Sequence, residues 1–190
     1  MALDANKLKR YLTELPEPEA NPVLIIISGL PGAGKSYFSR QLAAKLPSVV
    51  LESDFLRKKL FPTPIYSNTE NQYLFSACHY LIEELLASGR TVIFDATNLV
   101  EHNREMLYRI AERAKAKIII VQVKAPANVL HQRLSDRRHF SNPEEYSDAD
   151  WQTYEMMKKQ AQRIRRNYYS VDTSKDIGPV LAKILREANR

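Results

Sequence analysis

The chain has 190 residues, 44% of them apolar and 26% charged, with 28 Lys and Arg against 22 Asp and Glu. That length holds one well-packed core rather than two full domains, and no apolar run reaches the roughly 20 residues of a membrane span. The single cysteine, Cys78, excludes an intrachain disulfide, and the N-terminal residues lack the basic-then-apolar layout of a secretory leader, so a reducing, cytoplasmic setting is expected. The net charge of +6 suits a protein that handles polyanions such as ATP and permits a nucleic-acid partner. Solvated faces of amphipathic helices account for many of these cations.

Residues 1 to about 20 read as a helical extension and linker. Leu3, Leu8, Tyr11, Leu12 and Leu15 recur at roughly helical intervals until Pro16 and Pro18 break the pattern. Val23 to Ile27 is an unbroken aliphatic run, a strand buried on both faces as in parallel sheets. After a glycine-rich turn, a helix runs over 35–46 and stops before Pro47. Val49 to Leu51 is a second strand, and a long helix over 68–88 ends at Gly89. Thr91 to Phe94 is a third strand, 100–115 a helix, and Ile118 to Val123 a fourth strand. Helix resumes near 126, breaks over a polar stretch near 139–147, and restarts with Ser147 or Asp148 as cap to run to about 167. Tyr168 to Val171 is a fifth strand, and a C-terminal helix closes the chain. This alternation predicts a three-layer α/β/α sandwich on a mainly parallel five-stranded sheet, with ligands at its carboxyl edge.

Gly29, Leu30, Pro31, Gly32, Ala33, Gly34, Lys35 and Ser36 match the phosphate-binding pattern G-x-x-x-x-G-K-[ST], between a buried strand and a helix. Glycines let the backbone N–H groups wrap a phosphate closely, and the helix N-terminus favours the anion. Lys35 is expected at the β- and γ-phosphates and Ser36 on Mg²⁺, with Tyr37 beside the nucleotide. No Asp-x-x-Gly switch and no Asn-Lys-x-Asp base-reading motif follows, as a GTPase would need. The third strand ends in Asp95 alone, without the adjacent acidic pair of a motor or transporter ATPase. A kinase domain over 21–190, with a helical lid around 133–150, is the class that remains.

Asp54 and Arg57 follow the second strand three residues apart, so they share one side of a helical turn. A general base beside a phosphate clamp fits that pattern, and so does an N-cap Asp with a surface Arg. Asp95 suits a water on Mg²⁺, while Thr97 or Asn98 is placed to cap the next helix. Arg133 and Arg137, at i and i+4, point the same way from the start of the lid, as a pair screening the transferring phosphoryl group or as a basic solvated face. His79, His102, His131 and His139 show no metal-ligand spacing. Cys78 and Trp151 read as packing residues, and Tyr66 and Tyr73 fit core packing better than stacking on a base.

The blocks Gly29 to Ser36, Ser53 to Arg57, Val92 to Asn98 and Arg133 to Arg138 together resemble the AAA_33-type P-loop kinases, in particular the kinase module of bacterial polynucleotide kinase-phosphatase. The resemblance covers about 23–165. It implies Asp54 as general base, Arg57 on an acceptor-side phosphate, and Arg133 and Arg137 on the nucleotide. ATP and Mg²⁺ are then the expected cofactors. The expected acceptor is a hydroxyl, first a nucleic-acid 5′ end and otherwise a small metabolite. A nucleotide-binding regulatory module is the third reading, and no membrane partner is expected. No phosphatase or ligase segment follows, and the aromatic, proline-rich Phe61 to Tyr66 departs from the pattern where an acceptor pocket would be shaped.

Overall fold

The computed structural model of the chain describes residues 2–12, 15–139 and 146–190, with the backbone alone at 2, 3 and 137–139. Five strands, β1 (Val23–Ser28), β2 (Val49–Glu52), β3 (Val92–Asp95), β4 (Lys117–Lys124) and β5 (Tyr169–Asp172), form one sheet in the order β2-β3-β1-β4-β5. All four pairings are parallel. The strand order reverses about β1, which places the loop after β1 at the switch point where such sheets bind ligands.

The period of two in β1 divides its side chains between two cores. Leu24 and Ile26 pack on one face with Val92 and Phe94 of β3. Val23, Ile25 and Ile27 pack on the other with Ile93 of β3 and Val121 of β4. The first core is covered by α1 (Ala2–Lys9), α3 (Ser53–Leu60), α4 (Asn68–Ala87) and α5 (Glu101–Arg113). The second is covered by α2 (Lys35–Ala43), α6 (Ala127–His139), α7 (Trp151–Gln160) and α8 (Gly178–Ala188). Helix α1 is an integral layer: Ala5 and Leu8 are fully buried against the first core, and Lys9 is ion-paired with Glu84 of α4. Cys78 is buried within α4. Trp151 stacks on Tyr154 with ring centroids 4.5 Å apart.

Three boundaries differ from expectation. The cap of α7 is Asp150, whose carboxylate accepts from the Thr153 N–H at 2.8 Å, rather than Ser147 or Asp148. The same helix stops at Gln160 rather than near 167. Gln162 turns to donate its N–H to Leu99 O at 2.9 Å, and the Arg104 guanidinium takes the carbonyls of Gln162 and Arg163 at 3.0 Å each. Backbone groups claimed by tertiary partners are no longer available to a helix, although the local residues would continue one. Finally, Ser53 to Leu60 is a full helix, α3, where the sequence suggested a single turn.

Candidate active site

Strand β1 ends at Ser28 and the chain turns through 29–34 into α2, whose first residue is Lys35. The turn needs glycine in two distinct ways. At Gly34, φ is +86°, a left-handed conformation that costs an L side chain about 1–2 kcal/mol. At Gly29, a Cβ would run into the carbonyl of Val123 on β4. Lys35 Nζ lies 3.3 Å from Leu30 O, folded back along the loop. The loop is braced from behind: Thr173 Oγ1, just past β5, donates to Ala33 O at 2.7 Å. Arg133 Nη1 reaches Gly32 O at 3.2 Å and Thr173 Oγ1 at 2.8 Å, and its Nη2 reaches Thr173 O at 3.1 Å. Arg133 therefore grips the phosphate loop itself. The Arg137 side chain lies outside the described residues.

Register assembles the acidic edge. Glu52, at the end of β2, pairs with Asp95 at the end of β3, and Asp95 pairs with Ile27 of β1. Both carboxylates thus meet α2 where it leaves the loop, and Ser36 Oγ donates to Glu52 Oε1 at 3.2 Å. Burial, with the neighbouring charges of Asp95 and Asp54, pushes Glu52 up to about 7. Asp95 is only 2% exposed, and burial raises it against the opposing charge of Lys35. Among the described residues, no hydrogen-bond partner meets its buried Oδ2. Asp54 sits half-buried in the first turn of α3. Glu52 did not stand out in the sequence. Its role depends on β2 lying beside β3, which residue spacing does not reveal.

Among the described residues no three His, Cys, Asp or Glu side chains form a ready metal cage. Mg²⁺ in such sites keeps several waters and takes few protein oxygens, so a hydroxyl plus carboxylates beyond the waters is the appropriate donor set. Ser36 with the orphaned Asp95 Oδ2 and the neighbouring Glu52 matches it.

Arg57 is 4% exposed, and its guanidinium is engaged inside the protein. Nη1 donates to Glu70 Oε1 at 2.6 Å, Nη2 to Asn71 Oδ1 at 2.7 Å, and the group lies 4.7 Å over the Tyr66 ring. Tyr66 and Tyr73 are 43% and 50% exposed rather than core residues. Tyr66 has φ of +55°, and its hydroxyl donates to Asp148 Oδ2 at 2.8 Å, while Lys58 Nζ donates to Asp148 Oδ1 at 3.0 Å. Neither Thr97 nor Asn98 caps α5, whose N-cap is Val100. Asn98 adopts φ of +44° and donates Nδ2 to Ile27 O at 2.7 Å, which ties the end of β3 to β1.

One cleft of about 1360 Å³ collects Pro31, Gly32, Gly34, Lys35, Ser36, Tyr37, Asp54, Arg57, Asp95 and Arg133. Gly29, Leu30 and Ala33 face a smaller cavity of about 220 Å³ behind the loop. The large cleft exceeds the roughly 300–1,000 Å³ of a single small-ligand site, so it has room for a nucleotide and a second molecule.

Residues 24–167 match the family model AAA_33, described as AAA domain. The L-seryl-tRNA(Sec) kinase of Methanococcus maripaludis is 31% identical over 120 residues, which is 60% of this chain but only 46% of that protein. The chain thus spans about half the length of this relative. Among solved structures, Kti12 of Chaetomium thermophilum in complex with ADP-AlF3 superposes with a TM-score of 0.71 at 19% identity, covering 87% of this chain and 98% of that one. The APS kinase CysC of Mycobacterium tuberculosis, in complex with AMPPNP and APS, gives 0.64 at 18% identity over 89% and 98%. At these identities the structures speak for a shared fold.

Proposed function

The chain belongs to the AAA_33 family, and on that premise we propose that it is an ATP-dependent phosphotransferase acting on a hydroxyl acceptor. The observation that carries this reading is the convergence of Lys35, Ser36, Glu52, Asp54 and Asp95 at the carboxyl edge of the sheet, in a cleft large enough for two ligands. A module that only binds nucleotide needs the phosphate loop but has no use for Asp54 beside it.

In this reading the loop N–H groups and Lys35 hold the β- and γ-phosphates of ATP, braced by Arg133 and Thr173. Ser36, Asp95 and Glu52 would hold Mg²⁺, which when bound would neutralise charge on the phosphates. Asp54 takes the proton of the acceptor hydroxyl as its oxygen bonds to the γ-phosphorus. The bond from that phosphorus to the β,γ-bridging oxygen breaks, and ADP leaves with the electron pair. The relatives' names carry different acceptors, an aminoacyl-tRNA in one and APS in another. The resemblance to polynucleotide kinase-phosphatase adds a nucleic-acid 5′-hydroxyl. The engagement of Arg57 by Glu70 favours a small-molecule acceptor over that one.

Transfer from labelled ATP, screened over 5′-hydroxyl oligonucleotides and small hydroxyl compounds, tests the activity. Lys35→Ala should abolish transfer and weaken ATP binding, because it removes the charge that meets the β- and γ-phosphates. Near-normal turnover in that variant would refute the assignment of the site.

A further inference from the structure

Beyond Asp54 the cleft is walled by faces of three helices. On α4, Asn68, Asn71, Gln72, Phe75, Ser76 and His79 recur at three- and four-residue intervals and so share one face, and all of them line the cleft. Asn103 and Met106 of α5 and Met156, Met157 and Gln160 of α7 line the same cleft. These side chains offer amides, a hydroxyl, thioethers, a phenyl ring and an imidazole. None has a fixed charge, and burial lowers the His79 pKa, which favours its neutral ring.

The cations of the cleft lie elsewhere. Among the described residues that line it, Lys35, Arg40 and Arg133 belong to the phosphate loop, α2 and α6. Arg57, which also lines the cleft, bonds to Asn71 of α4, and its charge is met by Glu70 in an ion pair with both side chains 5% exposed. Its remaining Nε is buried, with no hydrogen-bond partner among the described residues. Asp148, which also lines this end, is taken by Lys58 and Tyr66. An acceptor that carries phosphates would be desolvated here against amides and the carboxylate of Asp54, and among the described residues α4, α5 and α7 bring no cation to the cleft to receive it. An uncharged molecule would find amide donors and acceptors for its polar groups, and Phe75 with the methionines for an apolar face.

We propose that the acceptor is a small, uncharged hydroxyl compound with an apolar face, gripped by the amide-bearing face of α4, and that phosphate-bearing acceptors, nucleic-acid ends included, are excluded. This rests on the kinase reading above.

The test uses the whole protein saturated with a non-hydrolysable ATP analogue and Mg²⁺ at low salt. Adenosine 3′-monophosphate and a short 5′-hydroxyl oligonucleotide are titrated by calorimetry, and labelled-ATP transfer is compared within matched pairs such as adenosine and its 3′-monophosphate, or glycerol and glycerol phosphate. The phosphate-bearing probes should show no saturable binding, and within each pair that turns over the uncharged member should have at least tenfold higher kcat/KM. Saturable binding or faster transfer of a phosphate-bearing member, lost in Arg57→Ala, overturns the proposal. Glu70→Gln releases the Arg57 charge and should raise affinity for adenosine 3′-monophosphate at least tenfold. Should that variant not fold, Asn71→Lys puts a cation on the same wall and should bring the same gain. No gain in whichever variant folds would mean that charge on this wall does not govern the acceptor, and the proposal fails. Failure of the parent protein to bind the ATP analogue at all would instead sink the kinase reading.

Discussion

Asp54 shares the acidic edge with Glu52 and Asp95 but occupies a different position in it. It stands in the first turn of α3, on the side proposed for the acceptor, whereas Asp95 is buried at the end of β3. Asp54→Asn keeps the shape and removes the capacity to take up a proton. Turnover with the acceptor should fall by about 10²–10⁴, the usual contribution of a positioned general base, while ATP affinity measured by calorimetry stays within a few-fold of the parent. Transfer at the parent rate would leave Asp54 as a helix-start residue and move the search for the base to Asp95. Three residues on, Arg57 shows what spacing leaves open. The i,i+3 relation to Asp54 is a local fact, but the partner of its guanidinium is Glu70, which arrives from another helix.

The phosphate loop behaves as an element because two adjacent carbonyls within it are pinned by distant parts of the chain. Thr173, just past β5, and Arg133 of α6 hold Ala33 and Gly32. Gly34→Ala therefore strains the loop twice. The new Cβ must accept φ of +86°, and it would stand 2.9 Å from Thr173 Oγ1 and 3.2 Å from Arg133 Nη1. The variant should lose about 1–2 kcal/mol of stability from the backbone alone, and more than tenfold in ATP affinity as the brace is displaced. Chemical denaturation read alongside nucleotide titration checks both. A variant with parent stability and parent ATP affinity would show that the loop is not held in this conformation. A similar competition ends α7, where the carbonyls of Gln162 and Arg163 go to Arg104 on α5 instead of into further helical turns.

Across the whole molecule, two cores share one sheet, and the buried pair Arg57–Glu70 stitches α3 to α4 at the rim of the first. Burial alone would raise Glu70. The hydrogen bond from Arg57, that from the Ile65 N–H at 2.8 Å and the Arg57 charge outweigh it and hold the carboxyl below its ordinary 4.5. A carboxyl with a depressed folded value stabilises the protein fully above its unfolded pKa, and the contribution is lost as pH falls through the folded one. The parent should therefore be more stable than Glu70→Gln at pH 7, by about 3 kcal/mol, the lower end for breaking a buried pair, since Gln keeps an acceptor oxygen. The difference should shrink steadily below pH 4.5. Denaturant midpoints measured from pH 7 to pH 3 test the sign. A difference that grows in acid would contradict the assignment of Glu70 as the charged partner.

Much of this molecule is legible in its sequence alone. The aliphatic run of β1, the eight-residue phosphate loop and the strand–helix alternation are each encoded within a short stretch, because backbone sterics, periodicity and phosphate geometry act locally. Asp95 was readable for the same reason, as the last residue of a buried strand. Glu52 was not, because its place depends on the order β2-β3-β1, a choice made by the packing of whole strands. Nor were the brace of Arg133 on Gly32 and Thr173, the neutralisation of Arg57 by Glu70, or the early end of α7. Each joins groups 13 to 101 residues apart. The sequence alone thus determined that a phosphate-binding edge exists and which chain segment builds it. Tertiary structure alone decided which charges remain available at that edge, because a charge acts on a ligand only where folding has not already matched it with an opposite one.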